Sequence, residues 1–179
     1  YWPGGPYFVA EFYPAWFDVW GQRHSAVNYE RPAQQLDWML ANDVSVSIYM
    51  FHGGTNFHYA NGANTNNGAY EPQPTSYDYD AMLTECGDVT PKYYAVRDVI
   101  KKYVDEDLPE VPANREKKAY GKVKLTQVAG LFDNLSNLAE KKHNDVPLCM
   151  EKNGQGYGYI AYTTILNRDY VDTTLSFES

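Results

Sequence analysis

Two short apolar runs, each followed by a segment with helical spacing of hydrophobic residues, limit the folds open to this chain. The run Tyr7–Ala10 follows a Gly/Pro turn, which suits a buried strand. Val44–Phe51 begins with alternating apolar and polar residues and predicts a second strand. Between them, Pro32 opens a predicted helix whose apolar residues Leu36 and Met39 fall on one face.

A second helix is predicted after the second strand. Thr90 and Pro91 suit its N-cap and first turn, and the apolar side is formed by Tyr93, Val96, Val99, Ile100 and Tyr103. The order strand, helix, strand, helix predicts parallel strands joined by crossover helices. The predicted fold class is therefore α/β, and two such units are too few to close a barrel.

The remaining segments divide the chain further. A loop from Thr55 to about Asp88 is long enough to suggest a functional role. Residues 105–118 are charged, contain two prolines and lack periodicity, which is typical of a linker. Beyond it, three further segments predict the strands of a separate β-domain: Ala119–Val128, Tyr157–Leu166 and Val171–Phe177.

Composition excludes several functional classes. A net charge of -8 and the absence of a purely basic cluster disfavour nucleic-acid binding. No apolar run approaches the ~20 residues that a membrane span needs. The four histidines and two cysteines have no metal-ligand spacing, so no metal site is predicted, and Cys86 and Cys149 can pair or stay free. The 16% aromatic content suits either β-rich packing or a sugar-binding surface.

Glu11 is the first candidate for chemistry, because it stands where the first strand should end. The carboxyl ends of parallel strands carry the active sites of α/β barrels. Tyr49 has a similar place near the end of the second strand, so the two polar side chains would converge over one pocket. Tyr77 and Tyr79 would share one side of an extended loop. From position alone, a solvent-exposed glutamate and ordinary core tyrosines remain open as alternatives.

Three ordered segments are more specific than any single residue. These are Glu11–Gly21 (EFYPAWFDVWG), Tyr49–Phe57 (YMFHGGTNF) followed by Asn61–Asn64 (NGAN), and Gln73–Ala81 (QPTSYDYDA). Together they resemble glycoside hydrolase family 35, the β-galactosidase family, and most of all its animal lysosomal-type members. The resemblance covers nearly the whole chain and is strong to about residue 104. The loop Thr65–Glu71 looks a few residues longer than in those members.

The resemblance implies a fold and an activity. Residues 1–104 would be the C-terminal portion of a catalytic TIM (β/α)8 barrel, residues 105–118 a linker, and residues 119–179 part of a β-sandwich-like domain. The implied activity is that of a retaining exo-β-galactosidase, which removes terminal β-D-galactose from glycoconjugates without a cofactor or metal. The implied location is lysosomal or extracellular.

The resemblance also implies residue roles. Glu11 matches the nucleophile, and Trp16 matches an aromatic residue that lines the galactose pocket. Tyr49, Tyr77 and Tyr79 match substrate-binding tyrosines that contact the sugar or flank the nucleophile, and the Tyr49 hydroxyl would hold the Glu11 carboxylate by a hydrogen bond. The family's acid/base glutamate lies in an Asn-Glu pair on an earlier strand. No Asn-Glu dipeptide occurs here. We therefore expect the acid/base to lie outside this chain, which begins like mid-protein sequence, and the chain alone to be inactive.

Other functions stay open at this point. The same family could act on another β-glycoside, or the protein could be a non-catalytic relative that binds galactose through its aromatic residues. A purely structural module fits least, because the motif residues are concentrated in loops. A homo-oligomer is neither required nor excluded by the sequence.

Overall fold

The computed structural model describes residues 3–174 and residue 176. The chain divides into two compact units, Tyr1–Lys117 and Lys118–Ser179. The first unit begins with strand β1 (Phe8–Phe12), helix α1 (Glu30–Ala41) and strand β2 (Ser45–Ile48). β1 and β2 pair in parallel, as the order of the sequence segments predicted.

Strand β1 carries an irregularity next to Glu11. Val9 lies opposite Val46 and Phe12 lies opposite Ile48, so β1 uses one residue more than β2 over the same distance. An extra residue of this kind is a β-bulge, which bends a strand and changes the direction of its side chains. The bulge therefore falls on the residues that present Glu11 and its neighbours.

The core of the first unit lies between β1 and two helices. Helix α1 starts two residues before Pro32 and buries Leu36 and Met39, the apolar face predicted from the sequence. Helix α2 (Pro91–Ile100) begins at the predicted Thr90 cap, whose side chain accepts a hydrogen bond from the Tyr93 N–H. The buried core residues are Phe12, Ala33, Leu36, Met39, Met82, Val96 and Val99.

The long loop contains a hairpin that the sequence prediction missed. Strands β3 (Ala63–Asn66) and β4 (Ala69–Pro72) pair antiparallel in it. The two residues between them, Asn67 and Gly68, both have positive φ, at 50° and 84°. This is the conformation of a type I′ turn, for which Asn-Gly is a strong signal. The signal was present in the sequence, although its flanking residues are too polar and exposed to look like strands.

The second unit differs from the prediction. Its elements are a 3-10 turn at Phe132–Asn134, helix α3 (Leu135–Leu138) and a 3-10 turn at Glu151–Asn153. The described residues of this unit contain no strand, so the strands predicted at 119–128 and 157–166 are wrong. The strand predicted at 171–177 is also absent from the described residues of that segment, and residues 175 and 177 lie outside the described part.

The missing strands have a physical reason. Strands are stabilised by hydrogen bonds to a neighbour and by burial of one face. In the second unit, Val128 and Ile165 are 95% and 93% exposed, so the apolar residues that suggested strands find no surface to bury against. Alternation and β-branched residues alone do not form a sheet.

Candidate active site

Glu11 is the penultimate residue of β1, and its side chain is exposed. The hydroxyl of Tyr13 donates a hydrogen bond to its Oε2 atom. Side chains two positions apart along an extended chain point to the same face, which brings these two groups together. The expected hydrogen bond from Tyr49 to Glu11 is wrong: the Tyr49 hydroxyl lies 3.3 Å from the Tyr77 hydroxyl instead.

The structure brings the aromatic residues selected from the sequence into one cluster. The ring centroids of Tyr49 and Tyr79 are 5.8 Å apart, and those of Tyr77 and Tyr79 are 5.5 Å apart. Trp16 lies 6.1 Å from Tyr79. Tyr13 joins them at 5.4 Å from Trp16 and 5.9 Å from Tyr49. We call this group the aromatic cluster: Tyr13, Trp16, Phe17, Tyr49, Tyr77 and Tyr79.

The cluster offers a partly open aromatic surface. Trp16 remains 45% exposed, whereas Tyr79 is only 1% exposed and packs with Phe17 and Ala81. An aromatic face that is open to solvent can stack on the C–H face of a sugar ring. The neighbouring hydroxyls supply the polar groups that such a ligand needs for orientation.

The Glu11 carboxylate contributes to raised pKa values of the tyrosine hydroxyls around it. The hydrogen bond to Glu11 raises the pKa of Tyr13 above its ordinary value of 10. Burial is the main cause that raises the pKa of Tyr77, followed by its hydrogen bond with Tyr49, and the Glu11 charge adds to it. Burial likewise raises the pKa of Tyr79, with a smaller contribution from Glu11. These three hydroxyls therefore keep their protons and can act as donors.

Tyr79 does not have the extended conformation that the sequence reading assumed. Its φ is 64°, and that of Asp80 is 47°. Positive φ is uncommon for residues other than glycine, and two in succession mark a sharp local turn. The Tyr79 hydroxyl is buried and has no hydrogen-bond partner among the described residues. Tyr79 therefore reaches the cluster through the backbone turn, not through strand alternation.

Gly53 explains how the second sequence motif meets the third. A Cβ atom at this position would lie 1.7 Å from the carbonyl oxygen of Tyr77. The backbone N–H of Tyr77 donates to the carbonyl of Gly54 at 2.9 Å. The glycine pair thus allows the Tyr77 backbone to approach closely.

A network of charged groups surrounds the loop of Tyr77 and Tyr79. His24 Nδ1 lies 2.8 Å from Asp18, and its Nε2 lies 3.7 Å from Asp78. The hydrogen bond to Asp18 is the main cause that raises the pKa of His24, against a smaller opposing effect of burial. In the same loop, Asp80 forms an ion pair with the buried Lys92 at 2.7 Å.

Several of these residues were not predicted from the sequence. Tyr13 could have been found from its spacing of two from Glu11 on a strand. Asp80 lies within the third motif but was not selected, and Lys92 carried no local signal. Within residues 3–174 and 176, no group of three metal-ligating side chains comes together. Cys86 and Cys149 are both free and exposed. The helices of the described part are too short or too polar to cross a bilayer.

Comparison with known proteins confirms the family that the three motifs resemble. Residues 1–103 match the family model of glycosyl hydrolases family 35. The chain is 45% identical over 174 residues to a β-galactosidase of Bos taurus, covering 96% of this chain and 26% of that protein. A Homo sapiens β-galactosidase is 46% identical over 172 residues, which cover 93% of this chain and 24% of that protein.

The similarity extends beyond mammals. A Xanthomonas manihotis β-galactosidase is 40% identical over 167 residues, which cover 92% of this chain and 27% of that protein. The chain spans about a quarter of the length of these curated relatives. The family match covers more than half of the chain and contains the whole aromatic cluster together with Glu11. The chain therefore belongs to glycosyl hydrolases family 35.

Proposed function

We propose that this chain contributes the nucleophile half of the active site of a retaining exo-β-galactosidase that removes terminal β-D-galactose. The observation that supports this most is Glu11, hydrogen-bonded by Tyr13 and placed beside the aromatic cluster. The relatives named β-galactosidase support the reaction class and the sugar. The alternative roles, action on another β-glycoside or galactose binding without catalysis, are separated by the experiment below.

The proposal includes the larger architecture. Residues 1–104 would be the C-terminal portion of the catalytic TIM barrel, followed by a linker at 105–118 and the start of a further domain. The parallel pair of β1 and β2 with α1 between them is the repeating unit of such a barrel, and Glu11 lies near the carboxyl end of its strand. A lysosomal or extracellular location is proposed from the family resemblance.

The proposed mechanism assigns the first bond-forming step to Glu11. A retaining glycosidase places two carboxyl groups about 5–5.5 Å apart, and one of them attacks the anomeric carbon. The ionised Glu11 would form the glycosyl–enzyme ester as the bond to the leaving oxygen breaks. The second carboxyl group would protonate that oxygen, and would then activate the water that releases galactose with retained configuration.

The residues around Glu11 have distinct proposed roles. Tyr13 would hold one carboxylate oxygen so that the other faces the sugar. Trp16 would supply the stacking surface, since it is the most exposed ring among the sequence-selected aromatics. The phenols of Tyr49 and Tyr77 would orient the ring, so that binding energy is used for alignment. Tyr79, predicted from the sequence as a sugar contact, is 1% exposed with a buried hydroxyl, so its proposed role is to pack against the rings of Trp16, Tyr49 and Tyr77.

The acid/base carboxyl group is proposed to lie outside this chain. The sequence contains no Asn-Glu pair, which is the family signature for that residue. We therefore expect the isolated 179-residue chain to lack galactosidase activity, and release of galactose by that chain would contradict this part of the proposal.

The central experiment uses the complete protein that carries this chain. Glu11→Gln should abolish hydrolysis of nitrophenyl β-galactoside, whereas Glu30→Gln, at the exposed start of α1, should keep it. A 2-deoxy-2-fluoro galactosyl fluoride should label the wild-type protein on the peptide that contains Glu11. Near-normal turnover of Glu11→Gln, or a label on another peptide, would refute the role of Glu11.

The same assay separates the alternatives. Faster turnover of a glucosaminide or glucoside than of the galactoside would favour the different β-glycoside. Galactose binding by the wild-type protein without turnover or labelling would favour the non-catalytic relative.

A further inference from the structure

Lys92 is the one buried charged residue in the core of the described chain. It belongs to α2, and only 3% of its surface is exposed. A lysine is almost never this buried unless its charge is paired. Its ammonium group donates to the Asp80 carboxylate at 2.7 Å and also to the Asp80 backbone carbonyl. Both acceptors belong to the residue that directly follows Tyr79.

Asp80 accepts hydrogen bonds from two separate parts of the first unit. Its Oδ2 atom also accepts the backbone N–H of Val27 at 2.6 Å, from the segment between β1 and α1. The same residue is thus tied to α2 through Lys92 and to that segment through Val27. These contacts join residues that are 12 and 53 positions apart in the sequence.

The turn at Tyr79 and Asp80 has a backbone conformation that needs the contacts of Lys92 and Val27 to persist. Tyr79 and Asp80 both have positive φ, which costs free energy for residues with a side chain. Strained backbone of this kind persists only where the surrounding structure fixes it, and it occurs often at functional sites. The ring that this turn places, Tyr79, contacts Trp16, Tyr49 and Tyr77.

We propose that Lys92 and Asp80 are positioning residues, whose buried contact fixes the turn that holds Tyr79 against the rest of the aromatic cluster. This inference rests on the proposed galactosidase function, because it assigns the cluster to the sugar. Neither residue needs to touch the sugar. Loss of the Lys92 ammonium leaves the Asp80 carbonyl and carboxylate with fewer donors, so the turn relaxes and Tyr79 moves.

The test is Lys92→Met in the complete protein, which keeps the length of the side chain and removes its charge. A galactose-configured iminosugar is the probe, and its Kd is measured by calorimetry together with KM and kcat for nitrophenyl β-galactoside. The matched control is Lys102→Met, since Lys102 pairs with Asp37 at 2.9 Å but both side chains are well exposed.

We expect Lys92→Met to raise the Kd and the KM at least tenfold in the folded protein, and Lys102→Met to change both by less than twofold. A merely structural role would lower the melting temperature and the amount of active protein, but would leave the Kd of the folded fraction unchanged. That result would overturn the proposal. If Lys92→Met does not fold, Asp80→Asn is measured in its place. Lys92→Arg, which preserves the positive charge, is then the comparison.

Failure of the two proposals is distinguishable. If the wild-type protein neither binds the iminosugar nor cleaves the galactoside, the proposed function fails. If the wild-type protein binds it and the Lys92→Met or Asp80→Asn protein binds it equally well, only the positioning role is refuted.

Discussion

Gly53 gives the sharpest steric prediction for the site. A methyl group at this position would approach the Tyr77 carbonyl oxygen to 1.7 Å and the Tyr77 carbonyl carbon to 2.9 Å. Real Cβ contacts are essentially never shorter than 3.0 Å, so one of the two backbones must move. Gly53→Ala therefore has to push the Tyr77 backbone away by more than about 1 Å, a displacement that can cost roughly 100-fold in rate at a catalytic site.

The expected effects are on both activity and stability. Overpacking against a backbone costs about 1–3 kcal/mol, because neither partner is a flexible side chain. The displaced segment carries the Tyr77 hydroxyl that pairs with Tyr49 at 3.3 Å. We expect Gly53→Ala to lower kcat/KM for the galactoside about 100-fold in the complete protein and to lower the urea midpoint of the 179-residue chain.

Gly62→Ala is the matched control. Its added methyl would meet only the end of the Gln73 side chain, at 3.3 Å, which can rotate away. This variant should keep kcat/KM within twofold and leave the urea midpoint unchanged. If Gly53→Ala behaves like Gly62→Ala, the close approach of the two motifs is not what shapes the cluster, and the steric reasoning is refuted.

Two further predictions concern the supports of the site. Thr90→Ala removes the acceptor for the Tyr93 N–H and the donor to the Met82 carbonyl, so it should lower the free energy of unfolding by about 1–2 kcal/mol in urea titrations. Thr90→Ser keeps the hydroxyl and should lower the free energy of unfolding much less. Equal losses for the two variants would contradict the capping role. The pKa of folded His24 lies above its ordinary 6.5, so its stabilisation is complete at lower pH and is lost as pH rises through the raised folded pKa. When the pH falls from about 9 to 5, the free energy of unfolding should therefore rise more for the wild-type chain than for His24→Gln. The difference should be small, because His24 is more than half exposed. Parallel pH profiles of the two urea midpoints would refute this prediction.

Local sequence patterns predicted the elements that form from local interactions. The α1 face with Leu36 and Met39 and the Thr90 cap of α2 were confirmed, since both depend on residues within one or two helical turns. The parallel pairing of β1 and β2 also followed from the order of the segments. The hairpin at Asn67 and Gly68 was equally local and was missed only because its strands are polar.

The same kind of reasoning failed where pairing partners decide the structure. The second unit has the alternation and β-branched residues of strands, but its described residues form none. At the candidate site, motif resemblance predicted Glu11 and four aromatic residues, and the structure brings the four rings together. The spacing of two from Glu11 could have suggested Tyr13 as well, but the choice between Tyr13 and Tyr49 as the donor to Glu11 depends on how the bulged strand presents its side chains.

The amino-acid sequence by itself determined the family of this protein and predicted its candidate carboxylate and aromatic residues, because the motifs are recorded in the identity and order of residues. Only the tertiary structure decided that Gly53 meets Tyr77, that Tyr79 and Asp80 turn with positive φ, and that Lys92 is buried against Asp80. Each of these contacts joins distant segments. Whether such segments meet depends on the packing of the whole unit, and no local spacing encodes it.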